Sequence, residues 1–179
     1  MEKIKPSSAK VGFKWAIICF VISVVLTYVF QFLDMSQSAV AKIVGYIPFI
    51  AFSFLAVKEY RDQLGGYMTF GEGFIPGLLY GVFYGLMTAV FIFIYLKYLS
   101  PQILEQSIAE QKDKLAQQGL SDEQIDNALQ IARKYGALLG AIGTAIVIPI
   151  IGAVLALIAA AVFKKERTVF DAEPADPAI

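Results

Sequence analysis

Histidine is absent from this 179-residue chain, and cysteine occurs once, as Cys19. Without histidine the chain lacks the commonest general base near neutral pH and the commonest metal ligand. Neither a Ser-His-Asp triad nor a Cys-His pair nor a histidine-based metal site can therefore be assembled. A single cysteine also excludes an intramolecular disulfide, and we expect Cys19 to pack as a small apolar residue. These absences predict a protein that is not an enzyme and that carries neither a cofactor nor a metal.

Charge is also scarce, because only 17% of the residues are charged and the formal net charge is +0. The chain has no extended basic run, so we do not expect a nucleic-acid partner. Hydrophobic residues make up 58% of the chain, whereas a soluble domain is nearer half apolar and a quarter charged. The composition therefore predicts that the lipid bilayer is the main partner of this protein.

Four apolar runs are long enough to cross a bilayer, which needs about 20 residues as a helix. They predict an all-α fold, a polytopic transmembrane helical bundle with an extramembrane helical hairpin between spans 3 and 4. We expect one membrane domain over residues 1–170 and a disordered tail over 171–179. The spans are predicted at about 15–33, 40–57, 70–98 and 135–163, and the helical insert at 100–134.

Local signals mark the ends of these helices. Thr69 with Glu72 and Ser121 with Gln124 are capping boxes, which predict that helices begin just after Thr69 and Ser121. The paired glycines Gly65-Gly66 predict a turn in the polar connection after span 2, and Gly119 predicts the end of the first helix of the insert.

The basic residues near the spans predict the orientation. More lysine and arginine lies on the side of the two termini than on the side of the insert, which places both termini in the cytoplasm and the hairpin outside. The first apolar run is longer than the 7–15 residues usual for the apolar region of a signal peptide, so we expect an uncleaved span.

Glycine recurs every fourth residue in span 3, at Gly73, Gly77, Gly81 and Gly85. Residues i and i+4 share one helix face, so this glycine ladder forms a groove that another helix backbone can approach, as in a glycine zipper. Span 4 carries a similar row of small residues, interrupted only by Ile148. The two rows pack against each other within one chain, or one of them serves a second copy or another membrane protein. The row in span 4 consists of Gly136, Gly140, Thr144, Gly152, Ala156 and Ala160.

Tyr80 and Tyr84 flank the ladder in the middle of span 3. A phenol in hydrocarbon needs a hydrogen-bond partner, and Thr27, Ser53 and Thr144 are candidates on the other spans. Alternatively, the two phenols form a polar spot in a ligand cavity. No ionisable residue lies within the central parts of the spans, which counts against a proton-coupled carrier or a channel with a charged filter.

The connection between spans 2 and 3 has the densest mixture of charge, aromatic residues and glycine. Glu59 and Asp62 are candidates for an acid/base pair, and Arg61 and Glu72 complete a candidate ligand or partner turn. The segment Gly71-Glu72-Gly73 is a candidate anion site at a helix N-terminus. The alternative interpretation is a solvated, ordered turn in which Glu72 acts only as a cap.

The same connection resembles the central signature of a known family. The residues are Val57-Lys58-Glu59-Tyr60-Arg61-Asp62, then Gly65-Gly66, then Thr69-Phe70-Gly71-Glu72-Gly73-Phe74 and Gly77. They are similar to a bacterial four-span family catalogued as a domain of unknown function (number 4199). Pro101, the polar insert, Pro149 and Lys164-Lys165 follow in the order of that family, so the resemblance covers about residues 10–165. It implies an uncleaved four-helix protein of a bacterial inner membrane and no particular activity.

Two function classes remain from the sequence. The first is a non-enzymatic structural or interaction subunit whose ladder and hairpin contact partners. The alternative is an oligomeric transporter of small molecules or lipids with a cavity near Tyr80 and Tyr84. The lack of intramembrane charge favours the first class.

Overall fold

The chain folds into helices throughout the part that the structure describes. A computed structural model describes residues 6–35 and 38–166, except for the side chain of Lys42. Within these residues no strand occurs, and the only backbone pairing outside the helices and turns is an isolated bridge between Met68 and Lys165. The elements are α1 (Ser8–Phe32), α2 (Ala39–Gln63), α3 (Phe70–Ile94), a π-helical segment (Tyr95–Leu99), α4 (Pro101–Gln117) and α5 (Asp122–Phe163).

Four of these helices are long and apolar enough to cross a membrane: α1, α2, α3 together with the π-helical segment, and α5. This finding confirms the all-α fold with four candidate spans. Large apolar side chains such as Val21, Val90 and Ile150 remain exposed on their surfaces, at 54%, 62% and 59%. Such surfaces are expected of helices whose solvent is lipid.

Two helices are longer than the apolar runs from which they were predicted. α1 begins at Ser8 instead of near residue 15, with the Ser7 side chain accepting a hydrogen bond from the Lys10 N–H at 3.4 Å. α2 continues to Gln63 instead of ending near residue 57. Lysine, glutamate, arginine and glutamine are good helix formers, and the Gln63 amide donates to Glu59 at 2.8 Å one turn away. Loss of hydrophobicity therefore ends the apolar run but not the helix.

The connection between α2 and α3 contains the predicted turn and cap. Gly65 and Gly66 have φ values of +84° and +86°, a conformation that other residues rarely adopt. The Thr69 N–H donates to the Glu72 carboxylate at 3.0 Å, and the Glu72 N–H donates to the Thr69 hydroxyl at 3.4 Å. The capping box is confirmed, and α3 begins where it predicts.

α4 packs against the first turns of α5. Gly119 (φ +77°) and a second capping box, in which the Ser121 N–H donates to the Gln124 side chain at 3.1 Å, lie between the two helices. Ile108 of α4 is buried together with Ile125 and Leu129 of α5. The two limbs of the predicted insert therefore contact each other, and their location outside a bilayer stays a prediction.

α5 is one continuous helix of 42 residues. The sequence predicts a boundary between the insert (100–134) and the fourth span (135–163), but no proline of α5 precedes Pro149, and the helix continues across that boundary. At 1.5 Å per residue its length is about 63 Å, twice the roughly 30 Å hydrocarbon thickness of a bilayer. The second limb of the insert is thus an extension of the fourth candidate span.

The contacts divide the chain into two compact units. Unit 1 comprises residues 1–84 and 149–179 and so contains α1, α2, the first part of α3 and the last part of α5. Unit 2 comprises residues 85–148, with the rest of α3, the π-helical segment, α4 and the first part of α5. The tail predicted over 171–179 lies outside the described residues.

Candidate functional site

Within unit 1, α3 approaches α5 along the glycine ladder. An ideal Cβ added at Gly81 would lie only 2.9 Å from the Cα of Gly152, which is closer than ordinary van der Waals contact. Each step of four residues along α3 is matched by a step of four back along α5, so the helices are antiparallel with a constant register. The close pairs are Gly73 with Ala160, Gly77 with Ala156 and Gly81 with Gly152.

The other small residues of the two rows have different surroundings. An ideal Cβ at Gly136 would lie 2.9 Å from Leu104 Cδ1, so this glycine faces α4 instead of the ladder. Gly140 has only ordinary contacts, the nearest being Leu96 at 3.7 Å, and Gly85 is buried. The small residues of the predicted row on α5 therefore contact two different helices, α3 and α4. Gly136 contacts α4 because that helix folds back along α5 and Leu104 occupies the space beside it.

A second close approach, at Gly12, was not found from the sequence. An ideal Cβ at this residue of α1 would lie 3.0 Å from both the carbonyl oxygen of Pro76 and the backbone nitrogen of Tyr80 in α3. Gly12 therefore lets α1 lie directly against the backbone of α3. A single glycine forms no repeating pattern like that of the ladder in α3. In the sequence, Gly12 is distinguished only by its position beside the basic N-terminal residues.

Tyr80 and Tyr84 lie in a cluster of aromatic rings between helices of unit 1. Their exposures are 0% and 6%, and the ring of Phe49 lies 5.5 Å from Tyr80 and 5.0 Å from Tyr84 between centroids. The Tyr80 hydroxyl donates to the Phe49 carbonyl at 2.9 Å, and the Tyr84 hydroxyl donates to Ser23 Oγ at 3.0 Å. Both phenols thereby join α3 to a neighbouring helix.

The three partners named from the sequence are not those found. Thr27 donates to the Ser23 carbonyl and Thr144 to the Gly140 carbonyl, each at 2.8 Å within its own helix. Ser53 Oγ is buried and has no hydrogen-bond partner among the described residues. The hydroxyl of a threonine in a helix readily donates to the carbonyl four residues back. A hydroxyl that makes this local bond does not donate to another helix.

Glu59 of α2 has partners on both of its carboxylate oxygens, and one of them, Oε2, connects α2 to α1. Oε2 accepts a hydrogen bond from the Trp15 indole N–H at 2.7 Å and pairs with the Lys14 ammonium, while Oε1 accepts from the Gln63 amide. The Trp15 ring also stacks on Phe52, with centroids 5.4 Å apart. The carboxylate that the sequence marked as a candidate acid or base thus holds two helices together.

Arg61 and Asp62 pair with each other at 2.9 Å instead of forming a site with Glu59. The Arg61 guanidinium also lies over the ring of Phe163 at the end of α5, 5.3 Å from its centroid. All three charged residues belong to the last turns of α2, so the predicted turn is helical up to Gln63. The non-helical connection is only 64–69.

The candidate anion site at the start of α3 is filled by the protein itself. The Glu72 carboxylate accepts hydrogen bonds from both the N–H and the hydroxyl of Thr69, each at 3.0 Å. An external anion there would meet a negative charge already in place. No group of three or more possible metal-ligating side chains occurs among the residues that the structure describes.

Comparison with known proteins identifies the family but no relative of known function. The family model described as "Protein of unknown function (DUF4199)" matches residues 14–165, which is most of the chain. A search of curated proteins finds no match, and a search of solved structures finds none either. The match confirms the resemblance seen in the sequence around the α2–α3 connection. The chain therefore belongs to the DUF4199 family, whose function is unknown.

Proposed function

We propose that this protein is a non-enzymatic structural or interaction subunit of a bacterial inner membrane, with both termini in the cytoplasm. In this proposal the helices of unit 1 form the scaffold, and α4 with the first turns of α5 contacts a partner outside the bilayer.

The main support is that the polar groups suited to chemistry are engaged in packing. Glu59 binds Trp15, Lys14 and Gln63, and both Tyr80 and Tyr84 donate to neighbouring helices. A catalytic or transport site needs polar groups that are available to a substrate, at least in part. Here their bonds instead fix the positions of the helices.

The geometry gives less support to the alternative, an oligomeric transporter. That hypothesis depended on a cavity at Tyr80 and Tyr84, but the rings of these residues pack against each other and against Phe49, and both hydroxyls donate to neighbouring helices. Among the described residues of unit 1, no Asp, Glu, Lys or Arg side chain is buried, whereas coupled carriers typically have such side chains within their helices.

The features of α4 support a contact role for the insert. A small apolar cluster around Ile108 fixes α4 against α5, and Arg133 of α5 pairs with Glu105 of α4 at 3.7 Å. The remainder of α4 exposes polar side chains, including Gln106 and Glu110. A helix that is held in place by its own core and presents a polar face is suited to a reversible protein contact.

Photocrosslinking in intact membranes tests this proposal. A photoreactive residue at the exposed Gln106 should give a discrete adduct with one protein partner, whereas the same residue at Val21, an exposed apolar position of α1, should react with lipid. The adduct should disappear when Glu105, Glu110 and Asp113 are changed to lysine, which reverses the charge of the α4 surface. Only lipid adducts at Gln106, or an adduct that survives this change, would contradict the proposal.

A further inference from the structure

Residues from three separate segments of unit 1 meet where α2 and α5 end. The Met68 N–H donates to the Lys165 carbonyl at 2.8 Å, and the Lys165 N–H donates to the Met68 carbonyl at 3.0 Å. This backbone pairing joins the α2–α3 connection to the residues that follow α5. It brings Lys165 beside Tyr67, while Arg61 of α2 lies over Phe163. We name Arg61, Tyr67, Phe163, Lys164 and Lys165 the basic corner.

Aromatic rings hold two of the cations of the basic corner. The Lys165 ammonium lies 5.0 Å from the centroid of Tyr67, and the Arg61 guanidinium lies 5.3 Å from that of Phe163. The Phe163 ring is held in turn by Phe54, edge to face at 6.2 Å. A cation over a ring loses part of its rotamer freedom before any ligand arrives, so less entropy is lost when an anion binds.

The corner has an excess of positive charge. Arg61 pairs with the adjacent Asp62, and Lys164 pairs with Glu166 at 3.1 Å. Within the described part of the chain, Lys165 has no ion pair, and the same holds for Lys58, which is exposed one turn before Arg61. Glu59 of α2 is occupied by Lys14 and Trp15, and Glu72 of α3 accepts hydrogen bonds from Thr69. An anion at the corner would therefore meet Lys165, a cation that lacks a carboxylate partner among the described residues.

The position of the corner indicates the kind of anion. α2 and α5 are candidate spans that end at Gln63 and Phe163, so the corner lies at the end of two apolar helices. This is the depth at which lysine and arginine meet lipid headgroups and at which aromatic rings anchor a protein. Basic pockets between helices at this depth are suited to anionic headgroups, and the guanidinium matches a phosphate in geometry.

We propose that the basic corner binds the phosphate of an anionic phospholipid, with Arg61 and Lys165 contacting the phosphate oxygens and Tyr67 and Phe163 contacting the glycerol and the upper acyl chain. Lys58 and Lys164 add long-range attraction. The site is independent of the proposed partner contact at α4, because all of its residues belong to unit 1.

Lipid retention by the purified full-length protein tests the proposal. The protein is reconstituted in nanodiscs of phosphatidylethanolamine with one-fifth phosphatidylglycerol, and the lipid that remains bound after transfer to detergent is counted by native mass spectrometry. Phosphatidylglycerol should be enriched over the zwitterionic lipid. Removal of one basic side chain near an anionic surface weakens attraction by about fivefold, so Lys165→Gln should lower the enrichment by about that factor.

Lys97→Gln is the matched control. Lys97 is also exposed and lies over aromatic rings, 5.2 Å from the centroid of Phe93, but it belongs to unit 2. The Lys97→Gln variant should therefore leave the enrichment of phosphatidylglycerol unchanged. Lys58→Gln, an exposed position on a helix surface, serves as a second test variant if Lys165→Gln does not fold, and it should also lower the enrichment.

Three outcomes would overturn the proposal. Equal retention of the two lipids by the unchanged protein would show no preference for an anionic headgroup. An equal loss of enrichment in Lys97→Gln and Lys165→Gln would show a general charge effect. Loss of the bound phosphatidylglycerol when 10 mM inorganic phosphate is added would assign the site to free phosphate instead of lipid.

Discussion

The replacement of Gly81 by alanine tests whether α3 and α5 are held together by direct backbone contact. An ideal Cβ at Gly81 lies 2.9 Å from the Gly152 Cα, 0.5 Å short of the 3.4 Å at which ordinary contact begins. Gly152 has no side chain that could move aside, so the two backbones must separate. That movement also loosens the next pair of the ladder, Gly77 with Ala156.

Two opposing terms determine the size of the effect. Overpacking typically costs about 1–3 kcal/mol of unfolding free energy. Alanine is a better helix former than glycine by about 1 kcal/mol, which offsets part of that loss. Gly143→Ala supplies the control, because Gly143 lies inside α5 and an added Cβ there has no neighbour within 4 Å among the described residues. The gain in helix propensity is the same in both variants. Their free energies of unfolding should therefore differ by the cost of overpacking alone, about 1–3 kcal/mol.

Unfolding by sodium dodecyl sulfate in mixed micelles, followed by far-ultraviolet circular dichroism, measures both free energies. Gly143→Ala should be slightly more stable than the unchanged protein, and Gly81→Ala should be clearly less stable than Gly143→Ala. Equal stabilisation of both variants would refute close backbone packing at Gly81. It would also remove the physical basis for treating the ladder as the contact between α3 and α5.

Three further predictions concern other contacts and the orientation. Glu59→Ala leaves the Trp15 indole N–H without its acceptor and should lower stability in the same micelle titration by about 1–3 kcal/mol, whereas Glu59→Gln, which retains an acceptor, should lower it less. Tyr84→Phe removes one interhelical hydrogen bond and should cost about 0.6 kcal/mol, and an unchanged midpoint would mean that the bond contributes nothing. A cysteine at Gln118 should react with a membrane-impermeant reagent from outside the cytoplasmic membrane while one at Gln63 should not, and the opposite pattern would reverse the predicted orientation.

Features that depend on residues close together in the chain could be predicted from the sequence. The capping box at Thr69 specifies the start of α3 because both of its hydrogen bonds lie within four residues. The turn at Gly65-Gly66 follows from the conformational freedom of glycine alone. The four candidate spans follow from the length of each apolar run, since crossing hydrocarbon requires about 20 residues per helix.

The helix ends that were misplaced show the limit of hydrophobicity as a signal. α2 extends through Lys58–Gln63 because polar residues with good helix propensity continue the backbone hydrogen bonds where the apolar run ends. α5 continues from the insert into the fourth candidate span for the same reason. The length of an apolar run predicts the length of helix that lipid can surround. It does not predict the residue at which the helix ends.

The four-residue spacing of Gly73, Gly77 and Gly81 is enough to place them on one face of a helix, because residues i and i+4 lie on the same side. The tertiary structure shows in addition that this face contacts Gly152, Ala156 and Ala160, while Gly136 contacts α4. The tertiary structure also brings Glu59 to Trp15, 44 residues away along the chain. Contacts between helices in lipid depend on backbone fit and on single hydrogen bonds. Several helices of similar composition satisfy the same periodic pattern. Which two helices contact each other therefore depends on how all the helices pack together.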